Sequence, residues 1–176
     1  FVADIVYYYG EDNNITSLFG KKLPAIPEGY NYDFINSDAL LHLLTVNNNK
    51  LVTHSGMQYT VLVLDSNSMY LPLKVLQKIE TLVKAGAIVA GTKPVASTGL
   101  QEDNHAFIAL ANELWGNDNN PKVTGSGKVY TTSDIQQVLD ALQVKADFEY
   151  SKPDVKTQLL FVHRKLAAQD IYWINS

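Results

Sequence analysis

One stretch of the sequence constrains the fold most, because strand, helix and strand signals follow each other within residues 58–91. Residues 59–64 form a nearly continuous apolar, β-branched run, which is typical of a parallel strand covered on both faces. Residues 50–53 are expected to lead into this strand as part of a β-hairpin. Apolar residues then recur at helical spacing over 71–85, and 87–90 form a second buried run. Because two parallel strands are joined almost always by a right-handed crossover, the segment predicts an α/β sheet.

The helix within this segment carries its own boundary signals. Pro72 is placed in the first turn, where its missing N–H costs little, and Gly86 is placed where a left-handed residue ends a helix. Glu80 and Lys84 are spaced for an i,i+4 ion pair on the polar face. The loop at 65–70 contains neither a glycine to approach a phosphate nor a nucleophile. This unit is therefore expected to support the sheet, not to bind a cofactor.

The other elements follow from hydrophobic spacing and capping residues. Strands are predicted over 4–9, 32–35, 128–130, 159–162 and 170–174, and helices over 16–23, 38–44, 105–115 and 134–142. Asp103 or Asn104 is a candidate N-cap for the third of these helices, and Thr132 or Ser133 for the fourth. The last two strands are expected to form a hairpin at one edge of the sheet. No repeat or linker divides the chain, so residues 1–176 are expected to form one domain.

Composition excludes several kinds of partner and chemistry. The formal net charge is -4 and no Lys/Arg cluster follows a helix face, so nucleic acid is not an expected partner. The chain has no cysteine, which excludes disulfides, thiolate metal ligands and a cysteine nucleophile. No run approaches the roughly 20 apolar residues that span a bilayer, and no signal-peptide pattern opens the sequence. A soluble domain without a membrane partner is expected, and both ends suggest a segment cut from a longer protein.

Motifs for cofactor, metal or hydrolase sites are missing from the sequence. Gly125-Ser126-Gly127-Lys128 leads into a strand, whereas phosphate-binding glycines lead into a helix N-terminus. The four histidines lack metal-site spacing, and no Gly-x-Ser-x-Gly elbow occurs. Asparagine-rich runs at 12–14 and 118–120 lack the distal glutamate of a calcium loop. No cofactor and no metal are therefore expected.

Two groups of side chains remain as candidate ligand contacts. The first lies within residues 29–36 and combines aromatic faces with hydrogen-bonding oxygens and amides, the chemistry that a sugar ring requires. Its members are Tyr30, Tyr32, Asp33 and Asn36. The second is His163-Arg164, at the end of a predicted strand, where the guanidinium can form paired hydrogen bonds to a carboxylate. Structural roles stay open for both groups, with tyrosines packed over a sheet edge and Arg164 paired to Asp33 or Asp65.

Five segments together resemble an internal region of the large α-L-rhamnosidases of glycoside hydrolase family 106. They are ADIVYYYGE at 3–11, GYNYDFIN at 29–36, YTVLVL at 59–64, HR at 163–164 and DIYWIN at 170–175. The resemblance rests on their order and spacing, and it covers essentially the whole chain. It implies a companion domain of flavodoxin-like or amidotransferase-like type, similar to the trimerisation domain of some β-galactosidases, beside a catalytic barrel.

The resemblance also sets what this chain is expected to lack and to contribute. With 176 residues it cannot contain an eight-fold barrel of about 250 residues, so no catalytic residue is assigned. Tyr30, Asp33, His163 and Arg164 are expected to face the barrel and help to shape its substrate pocket. The resemblance implies a periplasmic or extracellular protein whose partners are the other domains of its parent chain and a rhamnose-containing glycan.

The predicted architecture is a three-layer, flavodoxin-like α/β domain. Its mainly parallel five-stranded sheet is expected in the order 2-1-3-4-5, with an antiparallel edge hairpin added by the last two strands. The expected function is that of a non-catalytic accessory domain of a rhamnosidase-like glycoside hydrolase. Two alternatives stay open: a free-standing small-molecule-binding module of flavodoxin or amidotransferase type, and, with the least support, an independent hydrolase.

Overall fold

A computed structural model describes residues 1–11, 24–65, 68–100, 102–116, 121–152 and 154–175. The helix predicted over 16–23 and the asparagine-rich runs at 12–14 and 118–120 lie outside these residues. Within them the strands and helices are β1 Ile5–Tyr8, β2 Tyr32–Ile35, α1 Ser37–His42, β3 Leu44–Asn47, β4 Lys50–Thr53, β5 Gln58–Tyr59, β6 Val61–Leu64, α2 Leu73–Lys84, β7 Ile88–Ala90, α3 Asn104–Leu114, β8 Lys122–Thr124, β9 Gly127–Tyr130, α4 Ile135–Ala141, β10 Leu160–Lys165 and β11 Asp170–Asn175.

The central sheet has six strands in the order β2-β1-β6-β7-β9-β8. Neighbours from β2 to β9 pair in parallel, and β8 pairs antiparallel with β9. The mixed α/β class and the mostly parallel sheet are confirmed, but the observed order differs from the predicted five-stranded one by a sixth strand, β8, beside β9. The antiparallel edge strand is β8, because the chain turns at Gly125 and returns as β9 alongside it. The backbone of Gly125 adopts φ +60° in this turn.

The hairpin of β10 and β11 was predicted at the edge of the central sheet, and this prediction is wrong. The two strands form a separate antiparallel sheet with no ladder to β2 or β8. One link to the remainder of the chain is the Val2 N–H, which donates to the His163 carbonyl at 3.0 Å. Side chains on the inner face of the hairpin, among them Phe161 and His163, hold it against the segment around Asp147. Such side-chain contacts between distant segments cannot be distinguished in the sequence from pairing at a sheet edge.

The run at 59–64 is divided between two sheets at Thr60. Its first residue, Tyr59, belongs to β5, which pairs antiparallel with β4 in a three-stranded sheet with β3. Its last four form β6, a central strand of the parallel sheet. Thr60 and Val61 both donate their N–H groups to the Asp4 carbonyl, at 2.7 and 3.2 Å, and this contact marks the change of sheet. The predicted hairpin therefore exists only over Gln58–Tyr59.

Helices cover both faces of the central sheet, as the sequence predicts for three layers. The side chains of α1, α2 and α3 pack on one face, in a core that includes Leu40, Leu76 and Phe107. The side chains of α4 pack on the other face, with Val138 and Leu139 buried against β1 and β6. Alternation along each strand sends successive side chains to these two cores. No helix in the described ranges is long and apolar enough to cross a membrane.

Some helix boundaries agree with their capping signals, and others differ from them. Gly86 follows α2 with φ +117°, as expected for the residue that ends a helix, and Asp103 caps α3 through its side chain. Pro72 is the N-cap of α2 and not its first-turn residue. The cap of α4 is Asp134, whose carboxylate accepts the Gln137 N–H at 3.1 Å, so neither Thr132 nor Ser133 takes that role. The helix predicted over 38–44 ends at His42, because the chain turns there into β3.

Candidate functional site

The two predicted tyrosines lie on the α4 face of the sheet. Tyr30 is nearly buried, and its hydroxyl donates to the Val144 carbonyl at 2.8 Å. Tyr32 is half-buried and meets Phe34 edge to face, with ring centroids 5.2 Å apart. Burial raises the pKa of both phenols above the ordinary value. The Tyr30 hydroxyl is therefore used in a structural hydrogen bond, and the half-buried Tyr32 is the more accessible of the two tyrosines to a ligand.

The other two members of that group face elsewhere. Asp33 follows Tyr32 in β2, so its side chain points to the opposite face, where it accepts the Tyr59 hydroxyl at 2.7 Å. Asn36 is exposed and caps α1 by accepting the Ala39 N–H at 2.8 Å. The strand alternation thus separates the predicted group, and the described residues do not bring its four side chains into one pocket.

His163 and Arg164 also point in opposite directions from β10. His163 is 6% exposed and faces inward, whereas Arg164 is exposed on the outer face of the hairpin. The structural alternative in which Arg164 pairs with Asp33 or Asp65 is wrong. Those carboxylates accept the Tyr59 and Tyr7 hydroxyls, and within the described part of the chain Arg164 forms no ion pair.

His163 is the centre of a cluster of polar side chains. Its Nδ1 lies 2.8 and 3.0 Å from the two carboxylate oxygens of Asp147, and its Nε2 lies 3.0 Å from Asp170 Oδ1. The imidazole stacks on the ring of Tyr172, and the Tyr172 hydroxyl donates to Asp147 at 3.0 Å. An ionised carboxylate only accepts hydrogen bonds, so both ring nitrogens donate when the imidazole is protonated.

This cluster has the character of a structural anchor. Both nitrogens of His163 are already engaged, so the ring cannot accept a substrate proton without losing one of its partners. Although one histidine and two aspartates meet here, no described group of three His, Cys, Asp or Glu side chains is arranged to hold a metal ion. The cluster joins β10, β11 and the segment around Asp147 into one unit.

Tyrosine hydroxyls hold three aspartates in the same manner. Tyr7 donates to Asp65 at 2.6 Å at the carboxyl edge of the parallel strands, where ligands of open α/β sheets bind. The other two pairs are Tyr59 with Asp33 and Tyr172 with Asp147. Burial, and then the bond to Asp65, raises the pKa of Tyr7 above its ordinary value. These carboxylates are engaged in structural bonds, so they are poorly placed to act as a general acid and base.

A cleft of about 430 Å³ lies between residues 24–32 on one side and Lys152 with residues 155–161 on the other. Tyr30, Tyr32 and Phe161 contribute aromatic surface to its lining. Lys152 Nζ lies 2.5 Å from a carboxylate oxygen of Glu28, so the cleft combines aromatic walls with an exposed ion pair. Aromatic surface beside charged hydrogen-bonding groups suits a polar ring such as a sugar.

Of the ligand contacts predicted from the sequence, only Tyr30 and Tyr32 line this cleft. The prediction missed Glu28, Lys152 and Phe161, because the two walls are more than a hundred residues apart in the chain and no spacing rule connects them. The one signal for this cleft in the sequence is Tyr150, an aromatic residue in a polar stretch. Its hydroxyl donates to Glu28. The bond to Lys152, and then the bond to Tyr150, lowers the pKa of Glu28 below its ordinary value.

The family model described as α-L-rhamnosidase, of glycoside hydrolase family 106, matches residues 1–176. The chain belongs to this family. It is similar to a putative β-glucuronidase of Formosa agariphila, with 37% identity over 177 residues that cover 98% of this chain and 14% of that protein. It is also similar to the solved structure of a rhamnosidase from Novosphingobium sp. PP1Y, with a TM-score of 0.91 and 33% identity.

The rhamnosidase-family match concerns a small part of each relative. The likeness to the Novosphingobium rhamnosidase covers 98% of this chain and 17% of that one. The family resemblance predicted from the sequence is thereby confirmed. A match of this extent includes the hairpin of β10 and β11 in the fold that the two proteins share.

Proposed function

We propose that this chain is a non-catalytic accessory domain of a rhamnosidase-like glycoside hydrolase, and that it packs against the catalytic barrel of the same polypeptide. One observation carries the proposal. The family model matches all residues of this chain, and yet the chain accounts for only 14% and 17% of the lengths of its two relatives. A catalytic barrel of about 250 residues needs more chain than the 176 residues present. The flavodoxin-like or amidotransferase-like architecture is part of the same proposal, supported by helices on both faces of a mostly parallel sheet.

The engagement of the carboxylates supports the non-catalytic role. An inverting glycosidase needs an acid and a base roughly 6.5–9.5 Å apart across the sugar, both accessible to it. Asp33, Asp65 and Asp147 each accept a tyrosine hydroxyl, and Asp147 and Asp170 share His163. Their geometry favours stability of the domain over proton transfer to a glycosidic oxygen.

We further propose that the cleft side of the domain shapes the sugar pocket of the parent enzyme. Tyr32 is the residue we expect to contact a rhamnose-containing glycan, because it is half-buried, aromatic and part of the cleft wall. The remaining predicted contacts, Asp33, Asn36, His163 and Arg164, are less favourable, since three of them already have structural partners and Arg164 lies on another surface. A periplasmic or extracellular location is part of the proposal and is tested by fractionating the cells that produce the parent protein.

The accessory role is tested by separating the domain from its parent. We expect the 176-residue chain to release no chromophore from an aryl α-L-rhamnoside, and the longer polypeptide that contains it to do so. Circular dichroism of the shorter chain is the control for folding. Turnover by the folded 176-residue chain alone would overturn the proposal.

The pocket role is tested in the parent by a matched pair of substitutions. Tyr32→Ala should raise the KM for the rhamnoside, whereas Tyr130→Ala should leave it unchanged, since Tyr130 is also half-buried on the same face but lies outside the cleft. An equal effect of the two substitutions would assign Tyr32 a structural role. Asp33→Ala is expected to reduce stability without changing the kinetics, because Asp33 faces the other side of the sheet.

A further inference from the structure

The hairpin of β10 and β11 has two apolar faces, and the described residues cover the inner face more completely than the outer one. Antiparallel pairing places alternate residues on opposite faces. The inner face carries Phe161, His163, Tyr172 and Ile174, and Phe161 packs against Phe148 with ring centroids 4.9 Å apart. The outer face carries the alternate residues Leu160, Val162, Arg164, Ile171, Trp173 and Asn175, all of them exposed except the half-buried Ile171.

The outer face is apolar and exposed. Val162 lies directly opposite Trp173 in the antiparallel register, with Leu160 next to Val162 on the same side. Leu160 is 61% exposed and Trp173 is 53% exposed. Of the fourteen exposed large apolar side chains in the described residues, three lie on this face, Leu160, Val162 and Trp173, and three more, Leu166, Tyr172 and Ile174, are exposed elsewhere in the hairpin. This concentration is unlike the single scattered apolar residues of an ordinary surface.

The sequence pattern of the hairpin is that of a layer packed on both sides. Strands with one face in water alternate apolar and polar residues, whereas strands covered on both faces carry apolar residues throughout. Phe161 and Val162 in β10, and Tyr172 and Trp173 in β11, put bulky side chains on both faces. An isolated two-stranded sheet is marginally stable at best, so a second packing layer also stabilises the hairpin itself.

We propose that the outer face of this hairpin, defined by Leu160, Val162, Arg164 and Trp173, docks onto a neighbouring domain of the same polypeptide. The inference rests on the proposed accessory role. The length of chain outside this segment supports that occupant, since the segment accounts for 14% and 17% of its two relatives. Enough polypeptide is present in such proteins to supply the missing layer.

The chemistry of the face specifies the surface that it fits. Trp and Arg are the residue types that dominate binding energy at protein interfaces. Arg164 lies on the outer face beside the apolar residues, is exposed and forms no ion pair with the described residues. The other outer-face residues from 160 to 175 include no carboxylate. The neighbouring domain therefore presents an apolar surface that covers Val162 and Trp173, with a carboxylate at its rim for Arg164.

The first experiment measures side-chain exposure in the parent polypeptide by hydroxyl-radical footprinting. Trp173 and Leu160 should be oxidised more slowly than the fully exposed Leu100, although indole is the more reactive side chain. Oxidation of Trp173 at the rate of an exposed indole would overturn the inference. Protection that is lost on dilution, together with a fall in the parent's mass from dimer to monomer, would overturn it as well, because the occupant would then be a second copy.

The second experiment measures how often the domain undocks. In the parent, Trp173→Ser and Val162→Ser should speed proteolysis of the chain that joins this domain to its neighbour by about tenfold or more, the effect of losing an interface hot spot. Val123→Ser is the matched control, since Val123 is an exposed valine on strand β8, away from the hairpin. Equal cleavage rates for Val162→Ser and Val123→Ser would contradict docking through this face.

The outcomes separate this inference from the accessory role. Turnover of a rhamnoside by the isolated 176-residue chain contradicts the accessory role whatever the footprint of Trp173. An exposed Trp173 in a parent whose isolated domain is inactive contradicts only the docking surface.

Discussion

The imidazole of His163 lies against the ring of Tyr172, with centroids 4.2 Å apart and an angle of 16° between the planes. The two residues are directly opposite each other in the hairpin of β10 and β11, and both bond to the carboxylate of Asp147. This contact explains how a hairpin without a ladder to the central sheet keeps its position. The anchoring interactions are polar and reach from strand to loop, whereas the helices are held by apolar packing.

Removing the hydrogen-bonding groups of His163 should weaken the fold. His163→Phe keeps an aromatic ring beside Tyr172 but leaves the largely buried Asp147 without its main donor, at a cost of about 2 kcal/mol in the free energy of unfolding. Asp170→Asn is the control, because the Asp170 side chain is 49% exposed and its loss should cost less than about 1 kcal/mol. Urea denaturation of both variants measures the difference, and equal costs would contradict the anchor.

Gly127 should tolerate no side chain. A Cβ built on it would meet the Val83 and Ala87 carbonyl oxygens at 2.2 and 2.3 Å, so Gly127→Ala should cost about 3 kcal/mol or more. Gly56 is the matched control, since its φ is +89° but nothing lies within 4 Å of the added Cβ, and Gly56→Ala should cost only about 1–2 kcal/mol of backbone strain. Thermal unfolding of the two variants compares a steric cost with a conformational one. A larger loss for Gly56→Ala would contradict the close packing of β9 on α2.

The two tryptophans should report opposite environments. Trp115 is fully buried and donates its indole N–H to the Gly91 carbonyl at 3.0 Å, so Trp115→Phe should cost about 2 kcal/mol through a lost bond and a cavity. Trp173→Phe should change stability little in the 176-residue chain, because Trp173 is half-exposed. Each variant leaves one indole, so fluorescence should show a blue-shifted, poorly quenched Trp115 and a red-shifted, readily quenched Trp173. The same emission from both would contradict their placement.

Asp4 should make the stability depend on pH. Burial raises the pKa of this carboxyl above its ordinary value of 3.8, against the opposing effects of the Thr60 hydroxyl and the Lys50 charge. The folded chain therefore holds the proton more tightly than the unfolded chain. The contribution to stability is complete below the unfolded pKa and is lost as pH rises through the folded one.

Asp4→Asn removes this titration and keeps an oxygen to accept the Thr60 hydroxyl. Relative to the unsubstituted chain, the variant should gain stability as pH rises from about 3 to 7, which urea denaturation at each pH measures. Asp154→Asn, at an exposed position, is the control and should show no such gain. A gain at acid pH that disappears at neutral pH would reverse the sign and contradict the burial effect.

Local signals predicted the parts of the fold that local interactions determine. The helix expected over 71–85 is α2, Leu73–Lys84, because helical periodicity and the glycine after it are properties of the segment itself. The strand expected at 32–35 has those bounds. Its alternation already implied that Tyr32 and Asp33 face opposite sides of the sheet, so their separation could have been found from the sequence.

Partner choice could not be predicted in the same manner. The run at 59–64 has the composition of one strand, but contacts of Thr60 and Val61 with the distant Asp4 divide it between two sheets. The ion pair of Lys152 with Glu28, which borders the cleft, joins residues 124 positions apart. No periodicity extends over such a separation, because the pairing is decided when already formed elements pack.

The sequence by itself determined the α/β class, the crossover unit around α2 and the family, because composition and short-range spacing encode them, and it singled out Tyr30 and His163 as candidates. Only the tertiary structure decided what those residues do. Packing turned the Tyr30 hydroxyl toward Val144, enclosed His163 between two aspartates and left Trp173 on an uncovered face. A side chain's role depends on the neighbours that long-range contacts bring to it, and residue type alone does not specify them.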